Sequence, residues 1–361
     1  MRRSFCGSIA WAGVSVAALV AVAIGCGAQL KSPRAEAGAI AAERERQREF
    51  ALTEWMRRQT RVEAVAARVR VANTELCDGD VRPYLGMSIG SSADFDAELR
   101  PVAARVLGAD AKPRILRLSP GQPAEQVGLQ LGDAIVSVDG EPVSSTTQVL
   151  ARVAAHREGA IRLGVEREGR EEFVLVTPIA ACNYGVVAVA DDDVNAFADG
   201  EDIGINTGMI RFTESDDELA IVIGHEFAHN ALGHRARKTT NSVLGAVLGG
   251  LLDVGAGILG VGTGGVFSKT GAGLMAGAFS KDFEREADYL GLYFASRAGY
   301  DVGVAPDFWR RIGIEHPSNV ESKYLAMHPS TPERALSLEQ VIAEIRAKRE
   351  AGAPLEPTRP E

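Results

Sequence analysis

Cysteine is scarce in this chain of 361 residues: there are four, and Cys6 and Cys26 lie near its start. Only Cys77 and Cys182 remain for the body, which excludes a disulfide-dense scaffold. Positive charge is also in deficit, with 39 Lys and Arg against 48 Asp and Glu and a formal net charge of −9. An acidic chain has no electrostatic footprint for a phosphate backbone, so nucleic acid is not an expected partner. Long apolar runs are missing after the N-terminus. The longest charge-free part of a Gly-, Ala-, Leu- and Val-rich segment, 243–279, lies between Asp253 and Lys269 and has 15 residues. That is short of the roughly 20 needed to cross a bilayer as a helix, and its glycines weaken helix formation in water. The segment reads as a lid or a lipid-resting patch, with a re-entrant element as the other reading.

Histidine is rare as well, six in all, yet three fall close together at His225, His229 and His234. His225-Glu226-Phe227-Ala228-His229 sits in an amphipathic pattern, where imidazoles four residues apart lie about 40° apart on one helical face. In this H-E-x-x-H spacing the two histidines can bind zinc, and Glu226 can act as general base on the water that zinc activates. The pentapeptide also occurs by chance on surface helices, so its surroundings decide. Ser215 can cap the helix, with Glu218 completing a capping box and Asp216 and Asp217 at its positive end. Leu219 to Gly224 then feed the motif from an apolar stretch. Ahead of them, Val186–Ala190 and Ile203–Phe212 read as strands, the second offering an edge to an extended peptide.

A catalytic zinc needs a third protein ligand and an open fourth position. His234 lies about 180° around a continuing helix from His225 and about 140° from His229, so it cannot share their metal. A second helix is expected over Asp282–Arg297. There Glu284, Ala287, Asp288 and Gly291 share a face while Glu286 points away. The phase selects Glu284 as ligand and Asp288 as acceptor for a ring N–H of a zinc-binding histidine. Carboxylates so spaced also mark ordinary charged helix faces.

At the other end, Met1-Arg2-Arg3 precedes an apolar run from Ile9 to Gly25, the pattern of an export signal. Ala23-Ile24-Gly25-Cys26 resembles the lipobox of bacterial lipoproteins. This implies removal of residues 1–25, a lipid on Cys26 and a body held at a membrane facing outward; an uncleaved anchor would place it similarly. Gly27 after the cysteine, by similarity to enterobacterial sorting, implies the outer membrane and a periplasm-facing body. Within an N-terminal segment, 26–78, residues 35–76 are dense in Ala, Glu, Arg and Gln, with Phe50, Met56, Val62, Val65, Val69 and Leu76 as a loose stripe. One or two helices packed on the catalytic part are expected, a partner-binding coiled coil being the alternative.

Residues 79–181 change character. β-like runs at Leu85–Ile89, Arg114–Leu118, Ala134–Val138, Ile161–Arg167 and Glu172–Val176 alternate with Gly-containing turns, and one helix is expected over Thr146–His156. The segment from Ser119-Pro120-Gly121 through Gly132-Asp133-Ala134-Ile135 to Asp139-Gly140 resembles PDZ domains of bacterial envelope proteases. The resemblance implies a β-sandwich-like module in which Tyr84, Leu85, Gly86 and Met87 form a loop that receives peptide C-termini. A PDZ fold used as a spacer is the alternative. Because PDZ domains have neighbouring termini, the resemblance also implies that Cys77 and Cys182 can form a disulfide in an exported protein, against two buried thiols otherwise.

Four ordered stretches carry a second resemblance: Asn195-Ala196-Phe197-Ala198, Thr213 to His229, Phe283 to Asp288 with Gly291, and His328-Pro329-Ser330-Thr331-Pro332-Glu333-Arg334. Together they resemble the HtpX and CAAX-prenyl-protease family, metallopeptidase family forty-eight, over about residues 183–345. The resemblance implies one zinc ion per chain held by His225, His229 and Glu284, with Glu226 as base. It places Asn195 and His328 beside the substrate and suggests that Arg334 orients His328. The expected fold is α+β and multidomain: a mainly helical gluzincin-type domain with a small sheet over 182–348, preceded by the PDZ domain and an N-terminal helix, and followed by a disordered tail, 349–361. The expected function is a membrane-anchored periplasmic zinc metalloendopeptidase acting on misfolded or misassembled envelope proteins. A chaperone or assembly scaffold for outer-membrane proteins is the alternative. An intramembrane site-two-type protease fits less well, since there the zinc helix spans the membrane and precedes the PDZ insertion.

Overall fold

The structure, a computed structural model, describes residues 34–77, 79–235, 281–315 and 332–358. The expected export signal 1–25, the expected lipidation site Cys26, the Gly-rich segment 243–279 and His328 lie outside the described residues.

The Gly- and Pro-free stretch after Gly38 forms a single helix, α1 (Ala37–Ala72). Trp55, Val62, Val65, Ala66 and Val69 on one of its faces are buried in the main core. Polar groups fix its position on the C-terminal module. The Gln59 amide donates to the carbonyl of Ala188 at 3.2 Å and accepts from its N–H at 3.1 Å. Arg61 donates to the carbonyls of Ile210 and Ser215 and pairs with Asp216.

The next module has strands β1 (Val81–Tyr84), β2 (Met87–Gly90), β3 (Arg114–Leu118), β4 (Ala134–Val138), β5 (Glu141–Pro142), β6 (Ile161–Arg167), β7 (Arg170–Val176) and β8 (Ile179–Cys182). Helices α2 (Arg100–Leu107), α3 (Pro123–Gln126) and α4 (Thr146–Ala155) intervene. The main sheet has the order β2-β3-β4-β6-β7 with β5 on β4, while β1 and β8 pair antiparallel as the module's neck. Ile115, Ile135, Val149, Leu163 and Val165 fill its core. Glu168 and Gly169 both take positive φ, 50° and 76°, which is the backbone that a two-residue β6–β7 hairpin requires. At the neck a disulfide joins Cys77 to Cys182, with their Cα atoms 5.7 Å apart.

The last module begins with β9 (Gly185–Val189), β10 (Ala196–Ala198) and β11 (Asp202–Asn206), in the order β10-β11-β9. The expected strand Ile203–Phe212 is therefore too long: it ends at Asn206, and Thr207–Phe212 forms helix α5. The apolar run through Met209 and Ile210 could not distinguish the two. What stops the strand is packing against the preceding acidic turn, where the Thr207 hydroxyl and the Gly208 N–H both donate to the carbonyl of Asp191. A Cβ on Gly208 would stand 2.1 Å from the carbonyl oxygen of Asp192. β11 is also not an edge, because it pairs antiparallel with β10 and parallel with β9. The edge strand on the side of the next helix is β10.

Helices α6 (Asp216–Ala231), α7 (Lys281–Arg297), α8 (Ala305–Glu315) and α9 (Pro332–Glu350) complete the module around Phe227, Tyr293, Phe294 and Phe308. The Ser215 hydroxyl accepts the Glu218 N–H at the start of α6, but the Glu218 carboxylate accepts from Glu214 rather than closing the expected box. Beyond α9, the described part of the expected loose tail is tied down. The Thr358 N–H donates to the Tyr289 hydroxyl, and the Lys348 amine donates to the carbonyl of Glu356.

Candidate metal centre

The helices α6 and α7 cross with their backbones almost touching, and two glycines make this possible. A Cβ on Gly291 would stand 2.8 Å from the His225 nitrogen, and one on Gly224 would stand 2.5 Å from the Gly291 carbonyl oxygen. Close approach brings Glu284, two turns earlier on α7, to the motif on α6. The Nε2 atoms of His225 and His229 lie 3.1 Å apart, and the Glu284 carboxylate lies 3.5 Å from the first and 3.6 Å from the second. A tetrahedral ion with bonds of about 2.0–2.1 Å sets its ligands roughly 3.4 Å apart. Among the described residues these three are the group able to hold a metal ion, and the donor set fits.

All three are buried, and so is Glu226 beside them. Burial of unpaired polar groups is costly, so their outer atoms need partners. His225 Nδ1 lies 3.0 Å from Asp288, whose two oxygens accept from Arg334 at 2.7 Å each. The Arg334 guanidinium lies 3.5 Å over the Trp309 ring, and that ring packs against His225. Arg334, expected to orient His328, is thus placed on Asp288. Burial disfavours a charged His225, but the bonds to Asp288 and Glu284 outweigh it and lift its pKa to about 9. For Asp288, burial raises the pKa, yet Arg334 and His225 hold it below the usual carboxylate range.

Sequence phase set His234 aside, and its geometry was missed. The helix stops: Gly233 takes φ 60°, its N–H donating to the carbonyl of Asn230, and the chain turns back. His234 Nδ1 then lies 2.9 Å from His229 Nδ1, and its Nε2 lies 2.9 Å from Glu286. A glycine just past the last helical residue was the available signal.

Beside the site, a cleft of about 290 Å³ is bordered by Glu284, Asp288 and Arg334 together with Lys281, Arg285 and Glu333. Asn195 stands half-buried just before β10, its carbonyl accepting the Asn206 N–H at 3.0 Å. In the PDZ-like module, the carbonyls of Leu85 and Gly86 accept from Ala124 and Ser119, which holds the Tyr84–Met87 loop. The Tyr84 hydroxyl donates to Glu63 on α1 at 2.8 Å, and β2 presents a sheet edge next to that loop.

Comparison with known proteins matches two stretches of the chain. Residues 171–342 match peptidase family M48, and residues 114–167 match the PDZ domain. Mitochondrial metalloendopeptidase OMA1 of Arabidopsis thaliana is 32% identical over 165 residues, covering 44% of this chain and 31% of the relative. The Beta-barrel assembly-enhancing protease of Yersinia pestis is 30% identical over 154 residues, covering 39% and 29%. The chain thus spans less than a third of either relative. The solved HtrA3 PDZ domain bound to a phage-derived ligand aligns over 28% of this chain and 88% of its own, at 19% identity and a TM-score of 0.23.

Proposed function

We propose, from the premise that residues 171–342 belong to peptidase family M48 and follow a PDZ domain, that this chain is a zinc metalloendopeptidase. Three ligand atoms spaced 3.1–3.6 Å apart around one point carry the reading. His225, His229 and Glu284 would hold the ion, and zinc bound there would acidify its water and polarise the scissile carbonyl. Glu226, adjacent to the first ligand and buried, takes the water proton and returns it to the leaving amine. The low-dielectric surroundings strengthen each of these charge interactions.

An extended substrate is proposed to pair with the β10 edge, its register set by main-chain hydrogen bonds and its selectivity by neighbouring pockets. Asn195 precedes that edge and is proposed to meet the substrate backbone; His328 is proposed to donate to the developing oxyanion. The PDZ loop Tyr84–Met87 and the free edge of β2 suit capture of peptide C-termini. With residues 1–25 as export signal and Cys26 lipidated, the enzyme would face the periplasm from the outer membrane and act on misfolded or misassembled envelope proteins.

The test compares the mature protein with Glu226→Gln and Glu284→Gln, reading bound zinc and cleavage of an unfolded protein. Glu226→Gln should keep zinc and lose cleavage, while Glu284→Gln should lose both. Full zinc retention in Glu284→Gln sinks the ligand set, and equal cleavage by Glu226→Gln sinks the enzyme.

A further inference from the structure

We propose that His234 is a positioning residue for His229, with Glu286 and Phe283 holding it in place; the inference rests on the metallopeptidase reading. The two motif imidazoles turn their Nε2 atoms toward each other and toward Glu284. A ring that ligates through Nε2 carries its proton on Nδ1, and that N–H must find an acceptor in a core where His229 is 1% exposed. For His225 the acceptor is Asp288. For His229 it is His234 Nδ1, at 2.9 Å.

That assignment fixes the rest of the chain of bonds. If His234 accepts at Nδ1, its own proton lies on Nε2, where the Glu286 carboxylate stands 2.9 Å away. Donation therefore runs in one direction, from His229 to His234 to Glu286, and no nitrogen is left unmatched. The His234 ring is fully buried and stacks on Phe283 at 4.4 Å between centroids and 8° between planes, which holds its orientation.

The two supports differ in charge. Asp288 is an anion neutralised by the buried Arg334, whereas His234 is a neutral ring that carries the negative end of its arm out to Glu286, whose side chain is 49% exposed. A carboxylate placed directly against His229 would add a second buried charge needing its own cation. The imidazole avoids that while still fixing the ring.

The experiment uses the full mature chain and four variants. His234→Phe keeps the ring volume and the stack but offers no acceptor, and His234→Asn sets an amide oxygen near the Nδ1 position. His234→Gln places its amide too far out, and Glu286→Gln retains an acceptor without the charge. Zinc affinity is read by chelator competition, and geometry by the visible spectrum of the cobalt-substituted protein. His234→Phe should bind zinc roughly 10–100-fold more weakly with an altered cobalt spectrum. His234→Asn should recover to within a few-fold of wild type, and Glu286→Gln should lie between. Wild-type affinity and an unchanged cobalt spectrum in His234→Phe overturn the inference. If His234→Phe does not fold, His234→Asn and His234→Gln decide, and equal affinity in those two overturns it. Failure of the wild type itself to bind zinc would instead overturn the reading of the whole site.

Discussion

Replacing Gly291 by alanine should damage the metal centre without touching a ligand. The added Cβ would lie 2.8 Å from the His225 nitrogen, 2.9 Å from its Cα and 3.0 Å from the Gly224 carbonyl carbon, where ordinary contact starts at 3.4 Å. All three are backbone atoms of α6, so no side chain can swing aside. The helices must separate by about 0.6 Å, the shortfall at the closest contact. Overpacking of this kind costs about 1–3 kcal/mol of stability. Metal ligands tolerate only about 0.2 Å of displacement. Glu284 rides on α7 while both histidines ride on α6, so the same separation opens the ligand triangle. Zinc affinity should fall at least about tenfold, or about 1.4 kcal/mol. Chemical denaturation of the metal-free protein measures the first effect and chelator competition the second. Wild-type values in both would refute the account of how the two helices build the site.

Asp288→Asn removes the negative charge that faces the buried Arg334 guanidinium and the anionic acceptor of His225. The metal-free protein should lose about 3–5 kcal/mol by denaturant titration, and zinc should bind roughly 10–100-fold more weakly. The raised pKa of His225 predicts two pH effects. In the metal-free protein its stabilisation is full below about 6.5, its ordinary value, and is lost as pH rises through about 9. Zinc must displace that proton, so apparent affinity should climb with pH up to about 9 and flatten above, with proton release at neutral pH measurable by calorimetry in buffers of different ionisation enthalpy. Removing the disulfide with Cys77→Ala and Cys182→Ala should cost roughly 2–5 kcal/mol, read from the denaturation midpoint; an unchanged midpoint would show that the neck strands β1 and β8 suffice.

What was legible in the sequence was whatever a local rule governs. Helical phase separated Glu284 from Glu286, and the structure brings the Glu284 carboxylate, not that of Glu286, to the two Nε2 atoms. The turn residues around β3, β4, β6 and β7 gave strand positions to within a few residues. Phase failed at His234 because angular position has meaning only while the helix continues, and Gly233 ends it. The run from Ile203 to Phe212 was misjudged because a short apolar stretch suits strand and helix equally, and the deciding contact comes from Asp191, far back in the chain. The pairing of β1 with β8 and the bidentate hold of Arg334 on Asp288 join residues 46 to 101 positions apart, and such pairings leave no local pattern to read.

The central claim is that three side chains on α6 and α7 hold a metal ion and that Glu226 works beside it. The most direct measurement is zinc content and cleavage of an unfolded protein by wild type and Glu226→Gln, purified alike. The account predicts one zinc per chain in both proteins, with cleavage lost only in the variant. Equal cleavage by the two, or no zinc in the wild type, would contradict it.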